Sequence, residues 1–336
     1  MELPSVAIII PVKRFNENLR QSIERCLRLD YPAFEIIVLP DEAFGEFKGN
    51  IKMIATGPMG PAEKRDLALA HSQAEVFAFL DDDAYPEPQW LRNAMRHFRD
   101  DVVAAVGGPA VTPPESPLRA LASGHVYASA LASGRYTYRY VPGSRVMEVD
   151  DYPSCNFLVR RTVFAELGGF DSTFYPGEDT KLCRDITRRL GKKIMYDPEV
   201  LVYHHRRLLG VAHMRQVANY GRHRGYFVRC GQETSRKPAY FVPSLFVLAL
   251  TGGAVSALVW PGFRPVYAAG MLAYALTVLC GAVAQLRGER HISAGRKIAL
   301  TVLIAGGIFL THVTYGLFFI RGLLGIGFRK QKTGAT

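Results

Sequence analysis

The sequence predicts an α/β domain over residues 1–205 followed by a transmembrane helical region, and three observations carry that reading. Strand-like and helix-like patterns alternate from residue 1 to about 205, the order expected of a mainly parallel sheet flanked by helices. Three long apolar stretches follow, Phe241 to Trp260, Val266 to Leu286 and Ile298 to Ile320. Each is about the 20 residues a helix needs to cross the hydrocarbon core, and none holds an Asp, Glu, Lys or Arg. A basic segment, 206–240, separates the domain from the helices (241–322), and a basic tail, 323–336, follows them.

The front domain reads element by element. Ser5 to Val12 is a buried strand, and Asn16 can cap a helix whose Leu19, Ile23, Cys26 and Leu27 recur at helical spacing. Phe34 to Leu39 makes a second strand and Ile51 to Ala55 a short third. Pro61 opens a helix to Ala70, and Glu75 to Leu80 is a strand that delivers three aspartates. No Gly-x-Gly-x-x-Gly follows the first strand, which disfavours a dinucleotide-binding dehydrogenase. From Gly107 to Val149 the pattern dissolves into Pro-, Ser- and Tyr-rich sequence, an irregular stretch expected to border a substrate cleft. Regular structure resumes at Asn156 to Arg160, then a helix from near Glu178 to Gly191, then a strand from Ile194 to His204.

Asp81, Asp82 and Asp83 crowd the carboxyl end of the strand before them, a costly place for bare negative charge. Ligands of open α/β sheets gather at such strand ends, and hard oxygen donors there suit Mg²⁺ or Mn²⁺ bridging a substrate diphosphate. Glu178 and Asp179 fall in the first turn of a helix whose inward stripe is Leu182, Ile186 and Leu190. The helix dipole favours a carboxylate there by roughly 0.3 to 1 kcal/mol, and an ionised, positioned carboxylate can take a proton from a hydroxyl. His204 and His205 close the last strand on opposite faces, so one of them at most reaches a site at that sheet edge, and the pattern leaves open which.

The net charge of +11 is concentrated between positions 206 and 237, where eight Lys and Arg residues face only Glu233. Beside a membrane span such charge favours anionic lipid or a lipid-linked phosphate over nucleic acid. Met1 to Ile10 lacks the basic start of a secretory signal, which places the front domain in the cytoplasm. Five scattered cysteines fit a reducing compartment and a structural role. The positive-inside rule puts the loop with Arg287, Arg290, Arg296 and Lys297 on the cytoplasmic side, whereas three crossings would send Arg329, Lys330 and Lys332 outside. Either the third stretch, broken by Gly306 and Gly307, stops short of crossing, or the tail charge is outvoted.

Taken in order, Ala7-Ile-Ile-Ile-Pro-Val12, Glu35-Ile-Ile-Val38 with Asp41, Lys64-Arg-Asp66, Phe79-Leu-Asp-Asp-Asp83 with Trp90, Asn156-Phe-Leu-Val-Arg-Arg161, Gly168-Gly-Phe-Asp171, Gly177-Glu-Asp179 and Tyr203-His-His205 resemble the membrane-anchored, exopolysaccharide-type branch of the family 2 glycosyltransferases. The resemblance implies the GT-A fold, a Rossmann-like mixed sheet with flanking helices. It implies a metal-dependent, inverting transfer of sugar from a nucleoside-diphosphate sugar, UDP-sugars favoured, to a lipid-linked glycan acceptor at the inner face of the cytoplasmic membrane. By the same resemblance Asp83 and His204, or His205, would hold Mg²⁺ or Mn²⁺, and Asp179 would be the catalytic base. Pro11, Val12, Asp41, Arg65, Asp81 and Asp82 would contact the donor nucleotide, and Asn156 and Glu178 would neighbour the acceptor sugar. The Gln-x-x-Arg-Trp signature of processive synthases is absent, Gln216 being followed by Val-Ala-Asn-Tyr, which argues for adding one sugar. The alternatives are a polyprenyl-phosphate glycosyltransferase and a catalytically silent nucleotide-sugar-binding scaffold.

Overall fold

The computed structural model describes residues 3–45, 49–174, 177–289 and 292–327. The chain forms two compact units, Met1–Ser116 with Arg135–Arg206, and Pro117–Gly134 with Arg207–Thr336.

The first unit is built on eleven strands: β1 (Val6–Pro11), β2 (Phe34–Leu39), β3 (Ile51–Met53), β4 (Val76–Leu80), β5 (Ala84–Pro86), β6 (Val103–Gly107), β7 (Ala110–Val111), β8 (Met147–Val149), β9 (Asn156–Arg160), β10 (Lys193–Tyr196) and β11 (Val202–His204). Eight of them make one mixed sheet in the order β3-β2-β1-β4-β9-β6-β10-β8. Within it β9 runs against both β4 and β6, β8 runs against β10, and the other pairs are parallel. β1 and β4 are apolar and buried along their whole length because core lies on both faces. Alternation sends Ile8, Ile10, Ile36 and Val38 to one layer with Trp90, and Ile9, Ile37, Phe77 and Phe79 to the other with Phe164. A small second sheet, β5-β11-β7, pairs β11 antiparallel with β5 and parallel with β7.

Local chemistry accounts for most element ends. The Asn16 side chain accepts from the Leu19 N–H at 2.9 Å and starts the helix Glu17–Cys26, which buries Leu19, Ile23 and Cys26. The helix expected from Pro61 to Ala70 is two pieces, Pro61–Asp66 and Ala68–His71. The strand expected from Ile194 to His204 is also two, β10 and β11 in different sheets. Asp197 makes the break: its side chain accepts from the Glu199 N–H at 2.8 Å and its carbonyl from the Val200 N–H at 3.1 Å, while Pro198 between them has no N–H to give a ladder. Inside the stretch expected to be irregular lies the helix Leu118–Ala128, part of the second unit. Its buried face is Ala120, Leu121, Ala122, Ser123, Gly124 and Val126, small residues that give almost no apolar-polar contrast to read.

The second unit holds the helix Val211–Arg229 and three helices long and apolar enough to cross a membrane, Pro238–Val259, Pro261–Gln285 and Ala294–Leu323. The arginine-bearing helix is seated on the last of these through glycines. A Cβ at Gly225 would stand 2.1 Å from the Phe319 carbonyl oxygen, and one at Gly322 would stand 1.9 Å from that of Arg222. Gly225→Ala should therefore destabilise the protein by about 1–3 kcal/mol, as overpacking does. Gly252→Ala, where a Cβ meets nothing within 4 Å, should not. Thermal unfolding of the detergent-solubilised variants checks the contrast.

Candidate active site

The carboxyl ends of β1, β2 and β4 converge on one short helix, Pro61–Asp66, whose adjacent cations reach in different directions. Lys64 is fully buried and its ammonium donates to the carbonyls of Val12 at 2.6 Å and Leu39 at 3.2 Å and to the Asp41 carboxylate. Pro11, Val12 and Asp41 thus sit together at the ends of the first two strands, joined by a lysine to which the sequence reading gave no role. Arg65, 4% exposed, lies over the Phe170 ring and donates from Nη2 to Asp81 Oδ1 at 2.6 Å. Its Nη1 stands 3.7 Å from Glu178 Oε1. The resemblance implied a nucleotide contact for Arg65; buried between two acids, its guanidinium couples Asp81 to Glu178.

Each aspartate after β4 has its own partner. Asp82 accepts from Asn16 Nδ2 at 2.7 Å, and burial pushes its pKa up to about 6, with the neighbouring carboxylates adding to the effect. Asp83 Oδ1 lies 3.0 Å from His204 Nε2. This follows from register: β11 pairs His204 with Ala84, the residue after Asp83, and the next N–H, of His205, bonds the Asp83 carbonyl at 2.9 Å. The His205 ring turns the other way, to Gln21 Oε1 at 2.7 Å and against Tyr85. His204, not His205, therefore faces the acids. Burial opposes a charged His204, but Asp83 outweighs it and raises the imidazole pKa above its ordinary value.

Arg206, two residues on and hence on the same face, donates to His204 Nδ1 at 3.0 Å and to the Ala110 carbonyl. It was grouped with the membrane-facing basic run. Here it belongs to the first unit and orients a site histidine. Alternation along Val202 to Arg206 was the signal that could have found it.

Ligand atoms of Asp81, Asp83 and His204 lie within 4.8 Å of one another. Two carboxylates and an imidazole are a donor set suited to Mg²⁺ or Mn²⁺, so these residues fit a divalent cation.

Glu178 and Asp179 occupy the first turn of the helix Glu178–Arg184, as expected. Burial raises the Glu178 pKa to about 7, with Asp179 adding to the shift and Arg65 opposing it. Asp179 Oδ1 accepts from the Thr180 N–H at 2.7 Å. Asn156, expected to neighbour the acceptor sugar, is fully buried; its side chain accepts from Trp90 Nε1 at 2.9 Å and donates to the carbonyls of Gly108 at 2.7 Å and Val200 at 2.8 Å. These bonds tie strand ends together.

Residues 7–168 match the family described as Glycosyl transferase family 2. Over these residues, from β1 to β9, the chain is similar to that family. A Pre-mycofactocin glycosyltransferase of Mycobacterium tuberculosis is 34% identical over 150 residues, 44% of this chain and 30% of that protein. A Glucosyl-dolichyl phosphate glucuronosyltransferase of Haloferax volcanii is 20% identical over 221 residues, 61% of this chain and 69% of that one. The chain spans less than a third of the mycobacterial relative's length. A mannosyltransferase from Pyrobaculum calidifontis, solved in complex with GDP-Man and Mn²⁺, shares the fold with a TM-score of 0.51 at 18% identity, over 97% of this chain and 88% of that one. The mixed sheet of the first unit is typical of the GT-A fold.

Asp66 gives a pH signature of this region. It accepts from the Phe170 N–H at 2.7 Å, and burial pushes its pKa up to about 7. The folded state then keeps a proton that the unfolded chain releases near pH 4, so this group's contribution to stability should fall as pH rises from about 4 to 7. Asp66→Asn should flatten that decline in thermal midpoints measured between pH 4 and 8. Asn156→Ala, which strands a buried indole N–H and the Val200 carbonyl, should cost about 2 kcal/mol or more by the same measurement.

Proposed function

We propose that the protein is an inverting, metal-dependent, non-processive glycosyltransferase, anchored in the cytoplasmic membrane, that moves one sugar from a nucleoside-diphosphate sugar to a lipid-linked glycan acceptor. The observation that carries the reading is the single guanidinium of Arg65 bridging the Asp81-Asp83-His204 cluster to the acid-bearing first turn at Glu178 and Asp179. Such a bridge supports a reading in which the donor's diphosphate and an acceptor's base lie side by side.

Pro11, Val12 and Asp41, held by Lys64, would receive the nucleotide. Asp81, Asp83 and His204 would hold the divalent cation, which when bound neutralises charge on the leaving diphosphate oxygens. Asp179 takes the acceptor hydroxyl's proton as that oxygen attacks the anomeric carbon, and the bond from that carbon to the diphosphate oxygen breaks on the opposite face. The Pyrobaculum mannosyltransferase's GDP-Man and Mn²⁺ support a nucleotide sugar with a metal. The name of the Haloferax relative supports an acceptor carried on a lipid phosphate, and the three apolar helices support a membrane anchor.

Purified protein in detergent, offered a panel of nucleotide sugars with Mn²⁺ or Mg²⁺, should release nucleoside diphosphate from one donor, and EDTA or Asp83→Ala should abolish the release. With acceptor present, Asp179→Asn should lower kcat by about 10² to 10⁴, the usual contribution of a positioned base. Normal turnover by Asp179→Asn would remove it from that role. Metal-dependent nucleotide binding without turnover of any donor would favour a silent scaffold.

A further inference from the structure

The second unit bears on how the chain meets the bilayer, given the membrane anchor of the preceding reading. The helices Val242–Val259 and Arg264–Gln285 form a hairpin: the Tyr267 hydroxyl bonds the Leu250 carbonyl at 2.9 Å, and the Phe246 and Tyr274 rings stack at 4.5 Å. At 1.5 Å per residue the two helices are about 27 and 33 Å long, enough to cross and return. Phe241 and Leu286, just before and just after the hairpin, then lie on one side.

The helix Ala294–Leu323 packs against the first of those residues and shares a buried cluster with the second. The Phe319 ring is 5.0 Å from that of Phe241, and Ser244 Oγ donates to the Gly316 carbonyl at 3.2 Å. Toward its other end, Leu300 and Ile304 share a buried cluster with Leu286. The segment from 300 to 319 is about 28 Å long. A crossing helix of that length would not have both ends against the base of one hairpin.

A second observation points the same way. The helix Val211–Arg229 runs beside Ala294–Leu323 in the same direction. Leu209 lies at Gly307, His213 Nε2 is 3.4 Å from Thr311 Oγ1, Gly221 abuts Tyr315 and Gly225 abuts Phe319. That companion carries Arg215, Arg222, Arg224 and Arg229. Were Ala294–Leu323 to cross, some of these would sit at hydrocarbon depth, at about 2.5 to 3.5 kcal/mol each near the centre. At the headgroups each exposed arginine gains about 1 kcal/mol instead.

The surface of the helix is divided accordingly. Leu300, Ile304, Ile308, Thr311, Tyr315 and Phe319 are buried, whereas Ile298, Val302, Leu310, Leu317 and Leu324 form an exposed apolar stripe. One face thus packs on the protein while the other is left to lipid. Cations flank both ends, Arg296 and Lys297 at one and Arg321 at the other.

We propose that Ala294–Leu323 lies in the plane of the membrane surface, so that the chain crosses the bilayer twice and its basic tail stays on the side of the α/β unit. The arrangement puts every basic loop on one side, in keeping with the positive-inside rule.

Versions of the full chain with one exposed cysteine, Cys230 and Cys280 being changed to serine and the buried Cys26, Cys155 and Cys183 kept, test this with a membrane-impermeant maleimide on intact and permeabilised cells. Gly262→Cys at the hairpin tip should label in intact cells. Gly288→Cys and Thr333→Cys should label only after permeabilisation. A C-terminal epitope tag on the otherwise unchanged chain, probed with antibody in the same way, gives a readout that needs no substitution and should also require permeabilisation. Labelling of Thr333→Cys or detection of the tag in intact cells would establish a third crossing and overturn the proposal, as would failure of Gly262→Cys to label in intact cells. Extraction of the chain by alkaline carbonate would instead refute the membrane anchor itself, separating the two failures.

Discussion

Repulsion among three successive carboxylates at the end of β4 is the constraint around which the first unit is arranged. Each is met by a different element: Asp81 by Arg65 from the helix Pro61–Asp66, Asp82 by Asn16 from the start of the first helix, and Asp83 by His204 from β11. Asn16 serves twice, its Oδ1 capping the helix through the Leu19 N–H while its Nδ2 reaches Asp82. One charged strand end thereby fixes the approach of a helix, a cap and a second sheet. Three like charges on neighbouring residues are tolerable only because the fold brings those partners in, and a site so compensated can exchange a proton for a cation with little rearrangement.

What was legible in the sequence was what local pattern determines. Unbroken apolar runs gave β1, β2 and β4, helical spacing after a capping Asn gave Glu17–Cys26, and charge-free length gave the three apolar helices. The site's acids were legible for a related reason, since a run of aspartates crowding the end of a buried strand is a costly arrangement that a cation relieves. What was hidden depends on pairing between distant strands. The choice of His204 over His205 is set by β11 pairing with β5, and the break at Asp197 by β10 and β11 joining different sheets. Asn156 had the composition of a polar site residue, and only burial and three distant partners show it to be a structural tie.

Arg206 and Lys64 illustrate a subtler difficulty, because composition assigned both to the wrong company. Arg206 begins a basic run and was counted with it, although its position two residues after His204 places it on the site face of the strand. Lys64 lies in a charged triplet at the start of a helix, where a solvated lysine is the usual expectation. It is buried because two strand-end carbonyls and Asp41 together give its ammonium the acceptors that water would otherwise supply.

The acids of the Glu178–Arg184 helix show how environment divides roles between adjacent, chemically similar groups. Helix position alone favours ionisation of both, by less than about 1 kcal/mol at a typical exposed site. Burial acts against Glu178, and the charge of Asp179 adds to it, so that Glu178 titrates near 7 despite the cation of Arg65 at 3.7 Å. A group that holds its proton close to neutrality is a poor receiver of another. Asp179 is less buried than its neighbour, and its carboxylate accepts the Thr180 N–H. Adjacent acids in one helical turn thus meet different surroundings, and Arg65 acts on one of them beyond geometry, since the guanidinium that neutralises Asp81 also limits how far Glu178 shifts.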